Sequence, residues 1–388
     1  MRQGLMAGLL AAVLGAAPAL AQEPLKVGVL VTLSGPGAVL GQQVRDGVAL
    51  ALKDRDGKLG GRPADLVVVD DELKPDVAVS RARRLIESDK VDFVIGPIFS
   101  NILGAIFRPV TEGGAILISP NAGSSVFAGK QCSPDFFVTS YENTQIHAVL
   151  GEYAQRKGYQ RAFLLAPNYQ AGKDAVAGFE SRFKGQIVAE DYVPLSTVDF
   201  QADLARIADA KPDVIFTFMP GGLGVALVKQ FHQSGLAAQI PFLSAFTVDE
   251  STLPAERDAA LGLYGAMTWA PDMDNAANRK FVSEYLAAYH AVPGSYAMQG
   301  YDALQLIAGA LAKTGGSTAD KATLHAALHA ADFASPRGAF RFNTNGYPIQ
   351  DFYLVKAAKR PDGLYETEIA EKVFSDWADG FAASCPLK

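Results

Sequence analysis

The sequence predicts an α/β protein of two similar lobes, each a parallel sheet flanked by helices. Three observations lead there. Short continuous apolar segments alternate with amphipathic ones along most of the chain, the pattern of strands buried on both faces and helices laid over them. That order then recurs, with offsets of 135, 121, 121 and 125 residues between matching segments. Finally, 388 residues, 49% apolar and 20% charged, suffice for a full core in each of two lobes.

The first element reads as an address label. Arg2 precedes an apolar run over residues 5–17, Pro18 breaks it, and Ala19-Leu20-Ala21 offers the small residues a signal peptidase accepts. The run is too short to span a bilayer comfortably; the alternative is a buried N-terminal helix. Removal of residues 1–21 leaves 388 − 21 = 367 residues and changes the formal charge from −6 to −7. No Cys stands at the junction, which argues against a lipid anchor. A soluble exported protein is expected, and its acidity argues against nucleic acid or an anionic membrane as partner. The basic cluster Arg81-Ala82-Arg83-Arg84 falls in a helical pattern and is read as a solvated face.

Residues 25–33 form a β-branched apolar run that stops at Ser34-Gly35-Pro36-Gly37, and residues 42–53 have helical spacing. Strands at 66–69, 92–95 and 115–118 follow, interleaved with helices at 77–86 and 102–111. The second series has strands at 161–166, 187–192, 212–216 and 240–245. Near-constant offsets imply two copies of one βαβ design. Residues 278–314 hold two helical patterns split by Val292-Pro293-Gly294, and residues 349–356 and 365–373 are strand-like. Cys132 and Cys385 permit only one intramolecular pairing, and in an exported chain a disulfide is expected.

Enzyme motifs are approached but missed. Gly35 to Gly41 lies where a dinucleotide fingerprint belongs, with one residue too many and Pro36 inside it; Gly123 to Gly129-Lys130 has the wrong spacing for a phosphate loop. There is no GxSxG, HExxH or CxxC, and no carboxylate pair stands out. His325 and His329, spaced i, i+4, are read as a solvated helix face rather than a metal site. No catalytic residue, cofactor or metal is expected, and a binding protein is preferred to an enzyme.

In doubly wound lobes, ligands sit beyond the carboxyl ends of the strands. Those ends here carry Gly96-Pro97-Ile98-Phe99-Ser100-Asn101 and Ser119-Pro120-Asn121-Ala122-Gly123-Ser124-Ser125, rich in hydroxyls, amides and backbone N–H groups next to a helix start. Such a wall suits a carboxylate, although Ser100 or Asn101 could equally serve as N-cap. The second series offers Pro167-Asn168-Tyr169-Gln170-Ala171-Gly172, Met219-Pro220-Gly221-Gly222 and Ser244-Ala245-Phe246-Thr247, aromatic, apolar or glycine-rich. Together the walls suit a small acid with an apolar or aromatic body.

The LSGPGAVLG segment within residues 27–41, and FVIGPIFS, ILISPNAGSS, LAPNYQAGKD and YDALQLI after it, resemble leucine/isoleucine/valine-type periplasmic solute-binding proteins of ABC transporters. The resemblance spans nearly the whole mature chain. It implies two Rossmann-like lobes joined by three crossovers, a ligand cleft between them, and delivery to a membrane permease. Lobe 1 would comprise residues 22–140 and 271–346, lobe 2 residues 141–270 and 347–374, with a tail, 375–388, tied back by the disulfide. A periplasmic monomer is expected.

In amino-acid-binding members, a Ser after the third strand and the loop after the fourth hold the α-carboxylate. Ser100 matches the Ser; Asn121, Ala122, Gly123 and Ser124 occupy the loop, with Gly123 where a Thr is expected. The acid that pairs with the ammonium falls on Phe246, and the usual Tyr of the preceding loop on Pro220. A buried ammonium without its partner costs several kcal/mol, so the resemblance, with these departures, points to a carboxylate without an amine. Phe99, Tyr169, Phe246 and Tyr296 would form an aromatic box, with Leu40, Ile98, Asn101 and Gln170 completing the lining. Some members of the family bind benzoate or phenylpropenoate derivatives. The alternatives are a branched-chain or other amino-acid (or 2-oxo acid) receptor, in which Asp249 or Glu250 replaces the missing acid, and a sensor module signalling to a kinase or chemoreceptor.

Overall fold

The computed structural model describes residues 23–387; the expected signal peptide lies outside them. The first sheet has six strands: β1 Leu25–Val31, β2 Lys58–Leu59, β3 Arg62–Asp70, β4 Phe93–Ile95, β5 Ile116–Ser119 and β6 Phe136–Val138, in the order β2-β3-β1-β4-β5-β6. The second has eight: β7 Arg161–Pro167, β8 Gln186–Val193, β9 Val214–Thr217, β10 Phe242–Ser244, β11 Tyr264–Met267, β12 Arg341–Phe342, β13 Pro348–Lys359 and β14 Tyr365–Trp377. Its order is β12-β13-β11-β10-β9-β7-β8, with β14 on β13. The segment β3-β1-β4-β5-β6 repeats as β8-β7-β9-β10-β11, which is the structural form of the sequence repeat. Two Rossmann-like lobes result.

The expected parallel core is present in both sheets, and antiparallel strands extend it. β2 pairs antiparallel with β3, and β13 pairs antiparallel with β11, β12 and β14. For the pairs joined by short links, β2–β3, β12–β13 and β13–β14, the cause is connection length. Gly363, at φ 87°, turns the chain between β13 and β14 within a few residues, whereas a parallel return needs a crossover of a dozen or more.

The strands of the parallel core are short and buried because helices cover both faces. β4, β5, β9 and β10 have no exposed residue. The helix Ala38–Lys53 lies against the 19-residue helix Ser295–Lys313. Gly47 and Gly300 make that approach possible: a Cβ at Gly47 would overlap the Ala297 carbonyl, and one at Gly300 would overlap the Val44 carbonyl. The helix Ser295–Lys313 therefore packs on the first lobe, although it follows the last parallel strand of the second. Among the described residues, no helix is long and apolar enough to cross a membrane.

Cys132 and Cys385 are bonded, with their Cα atoms 5.8 Å apart across 253 residues of sequence. The tail leaves β14 of the second sheet and ends beside the segment that leads into β6 of the first. Asp379 holds it there, accepting from the Asn345 side chain at 3.1 Å and from the Phe381 and Ala382 amides at 2.8 and 3.0 Å.

Candidate ligand-binding cleft

The loops at the carboxyl ends of the two sheets face each other and touch. Gly221, after β9, has φ 62°. A Cβ there would stand 2.9 Å from the Pro36 carbonyl and 3.5 Å from Leu40 Cδ1, both in the segment after β1. Pro220 and Leu40 are thus buried where the lobes meet, in a closed arrangement.

The donor-rich wall is built around a helix start. Ser100 is the first residue of the helix Ser100–Thr111, and Phe99, extended at φ −99°, ψ 138°, is its N-cap. A phenyl ring cannot cap, so neither Ser100 nor Asn101 plays the capping role the sequence allowed. The first N–H groups of a helix have no intrahelical partner, and here they carry the positive end of the helix dipole into the cleft. Ser100 Oγ accepts from Asn143 Nδ2 at 3.2 Å, while Asn101 Oδ1 is occluded without a partner. Ile98 and Phe99 are buried beside them.

The loop after β5 is more constrained than its sequence suggests. Gly123 is not an open position. Its N–H donates to Asn143 Oδ1 at 3.2 Å, and a Cβ there would overlap the Tyr141 carbonyl. The Thr expected at this place cannot fit. Asn121 donates to Gln299 Oε1 at 3.0 Å and to the Tyr141 hydroxyl at 3.3 Å. The Ala122 carbonyl accepts from Ser119 Oγ at 2.8 Å. Ser124 caps the short helix Ser125–Ala128 by accepting from the Val126 amide. This loop's side chains are therefore largely spent on shaping it.

Asp174 ties the lobes across the cleft. It lies on the helix Gln170–Arg182 after β7 and accepts from Ser125 Oγ at 2.8 Å, Asn143 Nδ2 at 2.9 Å and Gln170 Nε2 at 2.9 Å. Asn143 in turn reaches Ser100 and Gly123. A single chain of hydrogen bonds thus runs from the helix start at Ser100 to the second lobe and back.

The four aromatic residues of the expected box make their ring contacts in two groups. Phe99 and Tyr169 meet at 6.2 Å between ring centroids, with Phe218 stacked on Tyr169 at 6.3 Å. Phe246 and Tyr296 belong to a second group: Phe246 stacks on Tyr141 at 5.1 Å and meets Tyr296 edge-on at 5.7 Å. Phe246 adopts φ 56°, a left-handed conformation unusual for a bulky residue at such a turn. Burial, first of all, holds the Tyr169 and Tyr296 hydroxyls well above the ordinary tyrosine range, so these rings present neutral phenols.

The two acids that follow Phe246 have separate surroundings. Glu250 accepts from the Thr367 amide and hydroxyl, both at 2.6 Å, on β14. Burial and the neighbouring Asp249 push it up to about 8. Asp249 accepts from the Ser251 amide at 2.7 Å through Oδ1 and is fully buried. His325 and His329 do share the helix Lys321–His329, but His325 faces Asp135 at 2.8 Å and His329 the Asn343 carbonyl at 3.1 Å.

Tyr141, Asn143, Asp174, Phe218 and Gln299 were not anticipated. A signal existed for the first two, since they follow β6, whose carboxyl end is as eligible as those of the other parallel strands. Asp174 and Gln299 gave none, because a polar residue inside an amphipathic helix reads as its solvated face.

The model of a family described as periplasmic binding protein matches residues 24–362. The chain belongs to that family. This binding protein is 29% identical over 361 residues to Leu/Ile/Val-binding protein homolog 6 of Brucella melitensis, covering 90% of this chain and 92% of the relative. It is also similar to an ABC transporter solute-binding protein of R. palustris solved with benzoate: 35% identity, TM-score 0.89, and coverage of 94% of this chain and 100% of that one. A second such protein, from Rhodopseudomonas palustris BisB5 in complex with 3,4-dihydroxy benzoic acid, shares 31% identity at TM-score 0.83 over 91% of this chain and 98% of that one. A leucine-binding protein of Thermotoga maritima, 20% identical at TM-score 0.79 over 90% and 98% of the two chains, shares the fold.

Proposed function

We propose that this binding protein captures a small aromatic carboxylate in the periplasm, after loss of residues 1–21, and hands it to the membrane permease of an ABC transporter. The observation that carries the ligand reading is the Tyr141–Phe246–Tyr296 cluster. It contains Phe246, the residue that stands where the resemblance to amino-acid receptors calls for an acid, and a helix start suited to a carboxylate lies at the end of the first lobe's strands. The benzoate and dihydroxybenzoate complexes of similar proteins support the same reading. Ser100, Asn101 and the loop Asn121, Ala122, Gly123, Ser124 would hold the acid. Leu40, Ile98, Phe99, Tyr169, Gln170, Pro220, Phe246 and Tyr296 would line the ring. The lobes would be residues 22–140 with 271–346, and 141–270 with 347–374, acting as a monomer.

Calorimetry with benzoate, a phenylpropenoate, a branched 2-oxo acid and leucine tests the reading. An aromatic acid should bind most tightly. Leucine binding above every amine-free acid would overturn the proposal and leave an amino-acid receptor in its place.

Closure is the coupling step, since only the closed form touches ligand from both sides. The Asp174 bond to Ser125 exists between lobes and is lost on opening. Asp174→Ala should therefore weaken benzoate binding by roughly 1–3 kcal/mol, the range for losing hydrogen bonds to a charged group. Calorimetry at matched fold, checked by circular dichroism, reads the effect; an unchanged affinity would remove Asp174 from the closing device.

A further inference from the structure

Three segments pass between the lobes: residues 139–142 after β6, residues 268–275 after β11 and residues 343–347 before β13. The C-terminal tail makes a fourth connection. It leaves β14 at Trp377, whose ring packs on Phe352 and Phe374 of the second sheet at 5.4 and 4.3 Å between centroids. It ends on Cys132, between β5 and β6 of the first sheet. The two ends of the tail are therefore fixed in different lobes, the far one by a covalent bond.

Between its ends the tail lies along the third segment. The buried Asp379 accepts from Asn343 Nδ2 at 3.3 Å and from Asn345 Nδ2 at 3.1 Å. Only Ala378 separates Asp379 from Trp377, so little slack chain remains between the second lobe and this anchor. The Trp377 carbonyl also accepts from Gln145 Nε2 at 3.2 Å, on the helix Asn143–Arg156 that the first segment enters. The third segment in turn holds the loop that carries the closing bond. Asn345 Nδ2 donates to the Ala128 carbonyl at 2.7 Å, and the Tyr347 hydroxyl to the Ser124 carbonyl at 2.7 Å, at the two ends of the helix Ser125–Ala128. Ser125 of that helix bonds Asp174 of the other lobe. Tail, crossing segment and closing loop thus form one contiguous set of contacts.

We propose that the disulfide-held tail is a strap across the hinge, which limits how far the cleft opens and so keeps the free protein near its closed form. The inference rests on the cleft closure described above. A connection fixed in both lobes must stretch, or release Asp379, when the lobes rotate apart. Hydrogen bonds alone would let the tail go, since each is worth little net of water. The covalent bond does not let go, so the tail reseats at each closure. The apparent affinity of a ligand falls with the fraction of free protein that is competent to bind it. The strap therefore raises affinity without touching the ligand.

Small-angle scattering on the mature protein reads the opening. Wild type is compared with Cys132→Ser combined with Cys385→Ser, and with a Gly-Ser-Gly-Ser insertion between Ala378 and Asp379. The insertion keeps the disulfide and lengthens the strap, each added residue giving up to about 3.3–3.6 Å of reach. Without ligand, both variants should show a larger radius of gyration than wild type; saturated with benzoate, all three should agree. The benzoate Kd should rise about three- to tenfold in the variants, through their smaller closed fraction. A ligand-free radius equal to that of wild type in either folded variant overturns the proposal, as does an unchanged Kd. Should the cysteine variant not fold, the insertion decides alone. A wild type that binds benzoate without contracting is a separate result, and sinks the closure reading together with this one. Contraction in wild type with no difference among the ligand-free proteins sinks the strap only.

Discussion

Replacing Arg337 with methionine should lower the unfolding free energy by about 3–5 kcal/mol, the cost of leaving one member of a buried ion pair without its partner. Arg337 and Asp302 are 1% and 0% exposed at the side chain and meet at 2.8 Å. Asp302 lies on the long helix Ser295–Lys313, and its Oδ2 also accepts from Ser335 Oγ at 2.6 Å. Arg337 does more than neutralise it. The guanidinium donates to the Thr139 and Ser140 carbonyls on the chain leaving β6, and to Gln350 Oε1 on β13 at 2.6 Å. One side chain thus fastens two of the segments that pass between the lobes. Burial raises the Asp302 carboxyl and lowers the Arg337 guanidinium from their ordinary values, against their mutual attraction. Desolvation is therefore large, and the pair is a device for fixing geometry more than a source of stability. Urea unfolding of Arg337→Met, Asp302→Leu and the double variant checks this. Each single change should shift the midpoint strongly, and the double should recover part of the loss. A single variant within about 1 kcal/mol of wild type would refute the account, because an unpaired buried charge costs more than that.

Opening the Cys132–Cys385 bond should cost about 2–4 kcal/mol, the usual worth of a native disulfide. The bond closes a loop across 253 residues, for which the chain-entropy model alone gives up to about 5 kcal/mol. The lower range is expected because the tail keeps other anchors in the folded state, namely the Asp379 bonds from the Asn343 and Asn345 side chains. Urea unfolding with and without reductant, or of Cys132→Ser with Cys385→Ser, measures the difference. Free thiols in the denatured, unreduced protein would show the pairing to be wrong, and an unchanged midpoint would show it to be idle.

Much of this molecule was legible because it is local. A strand buried on both faces must be a short apolar run, so β1, β4, β5 and their counterparts in the second lobe were visible, as was their repeat. Two cysteines in an exported chain leave one pairing, and that pairing is present. Ser100 stood out because a hydroxyl at a strand end before a helix either holds a ligand acid or caps the helix. What required the tertiary structure was partnership across long separations. The antiparallel hairpin β13–β14 reads, strand by strand, like any other pair of strands; only its short turn and its neighbour β11 set the direction. Gly123 looked like an open place in a binding loop, but the Tyr141 carbonyl fills the space its side chain would need. Phe246 was placed at the cleft by its position in the chain, whereas its stacking on Tyr141 rather than Tyr169 depended on where the first crossover runs. Asp174, Arg337 and Asp249 are polar residues whose sequence neighbourhoods match those of many solvated ones. The roles of Asp174 and Arg337 come from desolvation and from partners as far as 49 and 198 residues away, and the hydrophobic periodicity of a chain carries no record of which polar groups it will bury together.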